Sequence, residues 1–158
     1  MTKTRIRRAR ADDASRLSEI AHAAKRHWGY AEDLLALWET DLTVTSAFIA
    51  THPVYCAPIG TEVVGFYALS PDGENFEMEH MWVWPKHMGK GVGAALFEHA
   101  VRYVRASQGS ALTIASDPNA EGFYRRVGAR RIGEVPSTPA GRMLPLLIVD
   151  IHPAAASE

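Results

Sequence analysis

From Trp82 to Leu96 the chain reads Trp-Val-Trp-Pro-Lys-His-Met-Gly-Lys-Gly-Val-Gly-Ala-Ala-Leu, and this stretch constrains the fold more than any other. The aromatic and β-branched run Met81–Trp84 has strand character. Pro85 has no N–H to give a ladder, so pairing stops there and the chain turns. Gly89, Gly91 and Gly93 remove side chains from the turn. Val92, Leu96, Ala100, Tyr103 and Val104 then recur at helical spacing. Strand, glycine turn and helix N-terminus in that order make an anion site. The opening N–H groups of the helix are unpaired and lie at the positive end of its dipole, so phosphate is favoured without many basic side chains.

Two phosphate-binding patterns are excluded by what is missing. No Gly-Lys-Ser/Thr closes the turn as a P-loop requires, and no acidic residue follows about 20 positions on, as a dinucleotide fold requires.

Length and charge narrow the class. A chain of 158 residues suits one domain that buries about two-thirds of its unfolded surface, which we place at 1–152 with a disordered tail at 153–158. Seventeen Lys and Arg against eighteen Asp and Glu give no broad positive field, so nucleic acid is not an expected partner. Lys3, Arg5, Arg7, Arg8 and Arg10 read as the solvated face of an edge strand. No apolar run approaches the ~20 residues of a membrane span, and no apolar signal core follows the N-terminus. A cytoplasmic protein without a membrane partner is the expectation. Cys56, the single cysteine, reads as a buried strand residue.

In chain order, Thr4–Ala9 is a strand. Asp12 or Asp13 caps a helix that buries Leu17, Ile20, Ala21 and Ala24. Gly29 interrupts the helix, which restarts through Leu34, Leu35, Leu37 and Trp38. Trp28 and Tyr30 beside Glu32 and Asp33 are suited either to a wall that receives a cation or to ordinary packing with a solvated acidic face. Ser46–Thr51 is a helical turn. Val54–Ile59 and Glu62–Leu69 form a hairpin about Gly60-Thr61, and Pro71-Asp72-Gly73-Glu74 turns the chain into a third strand, Asn75–Trp84. After the helix Gly91–Ser107, Ala111–Ala115 is a buried strand parallel to the third. A short helix is capped by Asn119 and ended by Gly128, with Phe123 and Val127 on its apolar face. Arg130–Glu134 and Met143–Ile151 are two further strands.

Val83-Trp84-Pro85-Lys86-His87-Met88-Gly89-Lys90-Gly91-Val92-Gly93 resembles the acyl-CoA signature of the GNAT N-acetyltransferases, Val-x-Pro-x-x-Arg/Gln-x-x-Gly-x-Gly/Ala. Met88 stands where the family has Arg or Gln. Asn119 through Tyr124 to Gly128-Ala129, beginning 26 residues after Gly93, resembles a second family segment, Asn-x-x-x-x-x-Tyr-x-x-x-Gly-Phe/Ala, with four rather than five residues between Asn and Tyr here. The resemblance implies an α/β fold with a mixed, mostly antiparallel sheet, splayed at the acyl-CoA site. It also implies transfer of acetyl from acetyl-CoA to a small-molecule or peptide amine. Trp82, Val83, Met88, Gly89, Lys90, Gly91, Val92, Gly93, Asn119 and Tyr124 would contact acetyl-CoA, and Tyr124 would serve as the acid toward the leaving sulfur. Pairing of two copies into a homodimer is compatible with it.

Acetyl transfer needs a neutral amine and stabilised charge. Glu77 and Glu79 are two apart on one strand, hence on one face about 6–7 Å apart. Repulsion and desolvation would raise one of their pKa values and make it a base working through water. The family places a catalytic Glu on this strand, and Glu79 is the first choice. His80 points the other way by alternation. The acceptor would meet Trp28, Tyr30, Glu32 and Arg142. No residues have metal-ligand spacing. The competing readings are a non-catalytic acyl-CoA-binding regulatory domain and transfer of a longer acyl group.

Overall fold

A computed structural model describes residues 5–152; Lys3, Thr4 and the expected tail at 153–158 lie outside them. Seven strands form one sheet in the order β1-β2-β3-β4-β5-β7-β6: β1 Arg7–Arg8, β2 Val54–Ile59, β3 Glu62–Asp72, β4 Asn75–Val83, β5 Ala111–Ala115, β6 Arg130–Pro136 and β7 Met143–Asp150. The helices are α1 Ala14–His27, α2 Glu32–Leu37, α3 Glu39–Leu42, α4 Ser46–Thr51, α5 Val92–Ala106 and α6 Glu121–Arg126. Among the described residues no helix is long and apolar enough to cross a membrane.

The chain forms two compact units. One comprises the described residues up to Leu69 together with His80–Phe97, the other Ser70–Glu79 together with the residues from Glu98 onward; β3, β4 and α5 each contribute to both.

In the first unit, Leu17, Ile20 and Ala21 of α1 lie in one core with Leu35, Trp38, Ile49, Val54, Cys56 and Phe66. Cys56 is fully buried, and burial pushes its thiol up to about 11, which suits packing rather than nucleophilic chemistry. The β2–β3 hairpin pairs Ile59 with Glu62 across Gly60-Thr61, and Gly60 takes the positive φ of 62° needed at the first position of a tight hairpin loop. β1 is shorter than expected: Arg7 and Arg8 pair with Cys56 and Tyr55 of β2, while their side chains reach other elements. Arg7 holds Asp13 at 2.9 and 3.1 Å, and Arg8 reaches the Ile49 carbonyl at 2.9 Å. Asp13 stands at the N-cap position of α1, but its side chain makes no cap bond there; its carboxylate accepts instead from the Arg10 N–H at 2.7 Å. Arg7 holds that carboxyl below its ordinary range.

In the second unit β5 lies parallel to β4, pairing Phe76 with Leu112 and Glu77 with Thr113. It runs antiparallel to β7 along its whole length. That ladder buries Leu112, Ile114 and Leu147. β6 ends the sheet, with a register irregularity between Arg131 and Gly133.

Gly65 of β3 shows why α5 can lie so close to the sheet. A Cβ there would stand 3.0 Å from Leu96 Cδ1, 3.1 Å from the Trp82 carbonyl oxygen and 3.2 Å from Val92 Cγ1. One methyl group would have to push both the helix and β4 outward. Gly65→Ala is therefore expected to lower stability by about 1–3 kcal/mol, measured as a shift in the urea midpoint. An unchanged midpoint would mean that α5 can withdraw from β3 at no cost.

Candidate active site

The glycine turn follows β4 directly. Trp84 donates its N–H to the Val64 carbonyl at 2.7 Å, after which Pro85–His87 make one 3-10 turn. Met88 is extended, and Gly89 and Gly91 take φ values of 74° and 87°. The Ala95 N–H reaches the Gly91 carbonyl at 3.1 Å, so Gly91 is the residue on which α5 begins. The next N–H groups, at Val92, Gly93 and Ala94, belong to a first helical turn that cannot pair them internally. They sit at the positive end of a 15-residue helix, a geometry that suits an anion such as a pyrophosphate. Nothing lies within 4 Å of a Cβ built at Gly89 or Gly91, so the positive φ, not lack of room, is what calls for glycine at both. Lys90 is exposed and Met88 half-buried. Among the described residues no cluster of His, Cys, Asp or Glu could hold a metal ion.

Trp82 is oriented by two contacts. Its indole N–H donates to His80 Nδ1 at 3.0 Å. The His80 ring in turn lies 5.7 Å edge-on to Phe48 and 5.6 Å from Phe66. Burial, with the neighbouring His52, pushes His80 down to about 4. At neutral pH it is an uncharged acceptor engaged with the indole. The Trp82 ring also meets a cation, because Lys25 Nζ lies 6.0 Å from its centroid, 4.5 Å from that of Trp38 and 4.9 Å from that of Tyr30.

The residues expected to wall a cation-receiving pocket are placed as follows. Tyr30 lies with Trp38 and Trp82 about the chain's own Lys25. Trp28 is partly exposed and edge-on to His27 at 5.4 Å. Glu32 is exposed and paired with Arg26.

In the second unit Glu77 and Glu79 flank buried Met78 and are both exposed, on one face of β4 as alternation requires. The Glu77 carboxyl is raised above its ordinary value, first by desolvation and then by the charges of Glu79 and Asp72. Its register pairing with Thr113 is the last between β4 and β5, and β4 runs on to Val83.

After β5, Asp117 rather than Asn119 organises the turn. The Asp117 carboxylate accepts from both the backbone N–H and the side-chain Nδ2 of Asn119 at 2.9 Å, and Arg142 Nη2 stands 3.8 Å away. Arg142 also points Nη1 at Ser137 Oγ, 3.4 Å distant. Tyr124, not Phe123, is the buried residue of α6, at 6% exposure. Burial, reinforced by the Asp117 charge, holds its phenol well above the ordinary value, so it remains protonated. Gly128, at φ 111°, ends α6 as expected.

The family model for the acetyltransferase (GNAT) family matches residues 15–129, a span that contains the glycine turn, both carboxylates, Asn119 and Tyr124. The chain belongs to the GNAT acetyltransferase family. It is an N-acetyltransferase, with the mixed, mostly antiparallel seven-stranded sheet and flanking helices of that fold.

Solved structures resemble this GNAT acetyltransferase over nearly its full length. PaiA N-acetyltransferase from Thermoplasma acidophilum, in complex with coenzyme A, is 14% identical with a TM-score of 0.78, covering 94% of this chain and 99% of that one. A GCN5-related N-acetyltransferase from Rhodopseudomonas palustris is 20% identical with a TM-score of 0.79, over 96% and 98%. YncA from Salmonella typhimurium, with its cofactor acetyl-CoA, is 20% identical with a TM-score of 0.68, over 99% of each chain. At these identities the likeness is one of fold. No curated protein matches the chain.

Sequence reasoning missed the parts played by Asp117 and Lys25, although each left a signal. Asp117 immediately precedes Pro118, the pairing of a capping side chain with proline at the first helical position. Lys25 follows Ala21 and Ala24 on the apolar stripe of α1, at a position where a charged residue needs a partner in the interior.

The acetyltransferase should also show a pH signature. His80 titrates near 4 when folded and near 6.5 when unfolded. The unfolded chain therefore binds the extra proton between these values, and the contribution of His80 is complete above pH 6.5 and lost as pH falls toward 4. Over that window the wild-type protein should lose about 3 kcal/mol of stability that His80→Gln does not lose. Denaturant titrations at pH 7, 5.5 and 4.5 measure the difference; parallel curves for the two proteins would place a charged His80 in the fold.

Proposed function

We propose that the protein transfers the acetyl group of acetyl-CoA to a primary amine by direct attack in a ternary complex. The observation that carries the reading is the glycine turn, with Gly89 and Gly91 at positive φ heading α5 inside the family match. Two of the similar structures are complexes with coenzyme A or acetyl-CoA, which supports the same ligand here.

In this reading the N–H groups from Gly89 to Gly93 bind the pyrophosphate. Met88 supplies no charge, so the backbone carries the task. Asn119 meets the pantetheine arm, and backbone groups at Trp82 and Val83 hold it and polarise the acetyl carbonyl. The free amine attacks the thioester carbon, the carbon–sulfur bond breaks, and the thiolate departs. The amine reaches the site as an ammonium, and its proton passes through water to Glu79, which lies beyond the part of β4 that pairs with β5. Glu77, with its raised pKa, lies on the same face and is the alternative base. Trp28, Tyr30, Glu32 and Arg142 remain the proposed surroundings of the acceptor, with Tyr30 acting through its place around Lys25.

Tyr124 contributes its hydroxyl to the sulfur. A phenol held well above its ordinary pKa is a reluctant proton donor, yet its O–H still makes a strong hydrogen bond to a thiolate in a dry site. The attacking nitrogen sheds its second proton as the amide forms, and that proton balances the one the thiolate takes up to become free coenzyme A.

Turnover with a panel of amines, followed by thiol release, tests the proposal. Glu79→Gln should slow the reaction by on the order of 10² to 10⁴ at neutral pH and recover partly as alkaline buffer deprotonates the amine. Glu77→Gln should cost less; the reverse ranking would move the base to Glu77, and two mild effects would leave the proton to bulk water.

Tyr124→Phe preserves the ring and removes only the hydroxyl. It should lower kcat by on the order of 10²-fold while the calorimetric affinity for acetyl-CoA and the melting temperature stay close to wild type. A variant that turns over normally but melts early would make the hydroxyl a structural group.

A further inference from the structure

Lys25 is only 7% exposed, and Trp38, against which it lies, is 4% exposed. Its ammonium faces three rings drawn from three separate segments: Tyr30 before α2, Trp38 between α2 and α3, and Trp82 on β4. Tyr30 and Trp38 stand at 88° to each other with centroids 4.9 Å apart, as adjacent walls of a box. The third wall is held in orientation by the hydrogen bond from the Trp82 indole to His80. All three distances fall within the roughly 6 Å over which a ring quadrupole attracts a cation, an attraction that strengthens when water is removed.

A box of perpendicular rings around an ammonium is the build by which proteins recognise organic cations. We propose that Tyr30, Trp38 and Trp82 form an organic-ammonium site that the chain keeps closed with its own Lys25, so that the residue at position 25 decides whether these rings can take a cation from outside. The ligand class is a primary alkylammonium, the chemistry of the lysine side chain itself. Where the acetyl-transfer reading holds, the consequence is selectivity. An acceptor with a second ammonium is denied these rings and meets the charge already seated there. The site itself is independent of that reading, and its test uses no turnover.

The probe is n-butylammonium, the detached equivalent of the lysine side chain, titrated by calorimetry into wild-type protein, Lys25→Ala and Lys25→Met at constant ionic strength. Lys25→Ala should bind it saturably with millimolar affinity. Lys25→Met, whose unbranched chain still fills the box, should not, and neither should wild type. Adding Trp38→Ala to Lys25→Ala should abolish the binding, with near-UV circular dichroism confirming the fold. Equal binding to wild type, or none to folded Lys25→Ala, overturns the proposal. If Lys25→Ala is recovered unfolded, refolding in n-butylammonium is compared with refolding in the neutral isostere n-butanol. Rescue by the cation alone supports the site, and rescue by both or by neither overturns it.

Discussion

An α-helix cannot satisfy its own first N–H groups, and this limitation of the backbone is what the glycine turn exploits. Pro85 ends the strand, the 3-10 turn Pro85–His87 redirects the chain, and the positive φ values of Gly89 and Gly91 aim the start of α5. Nothing in that sequence of events depends on a charged side chain. The half-buried Met88 at the position where the family has Arg or Gln therefore leaves the geometry of the turn intact. Gly65 belongs to the same constraint from the other side: it allows α5 to lie against β3 closely enough that the helix start stays where β4 delivers it.

What was legible in the sequence was what has a period or a special backbone. The β2–β3 hairpin, the turn through Gly73, the parallel pairing of β4 with β5 and the stop at Gly128 all rest on alternation, turn chemistry or a required positive φ. The reading lost accuracy where side chains compete for one partner. Asp13 was available to cap α1, but a bidentate arginine and the Arg10 N–H hold it instead. Asn119 was available to cap α6, but it donates to Asp117. In both cases local sequence named the capable residue, while a charge-assisted bond from elsewhere decided its use.

The short helix α6 shows a second limit. Phe123 and Val127 satisfy the i, i+4 rule, yet Tyr124 is the residue that is buried. Periodicity identifies the apolar stripe of a long helix well because many positions vote. Over the six residues of α6 one aromatic ring outweighs the pattern. Lys25 is the same lesson with opposite polarity, since a long aliphatic arm lets a formally charged residue count as part of the core stripe when rings receive its end.

β6 is the outermost strand of the sheet, and an outer strand presents backbone donors and acceptors along one side that another chain could pair with. Its Ile132 is exposed, which alone would invite such pairing. Arg131 bridges to Glu121 and Glu134, and Arg130 to Asp150, so charged groups flank that isoleucine on the strand. The irregular register between Arg131 and Gly133 bends the strand where a flat template would be needed. These features work against fibre-like stacking of one molecule on the next, so the charges of β6 contribute to solubility at high concentration even though exposed ion pairs add little to folding.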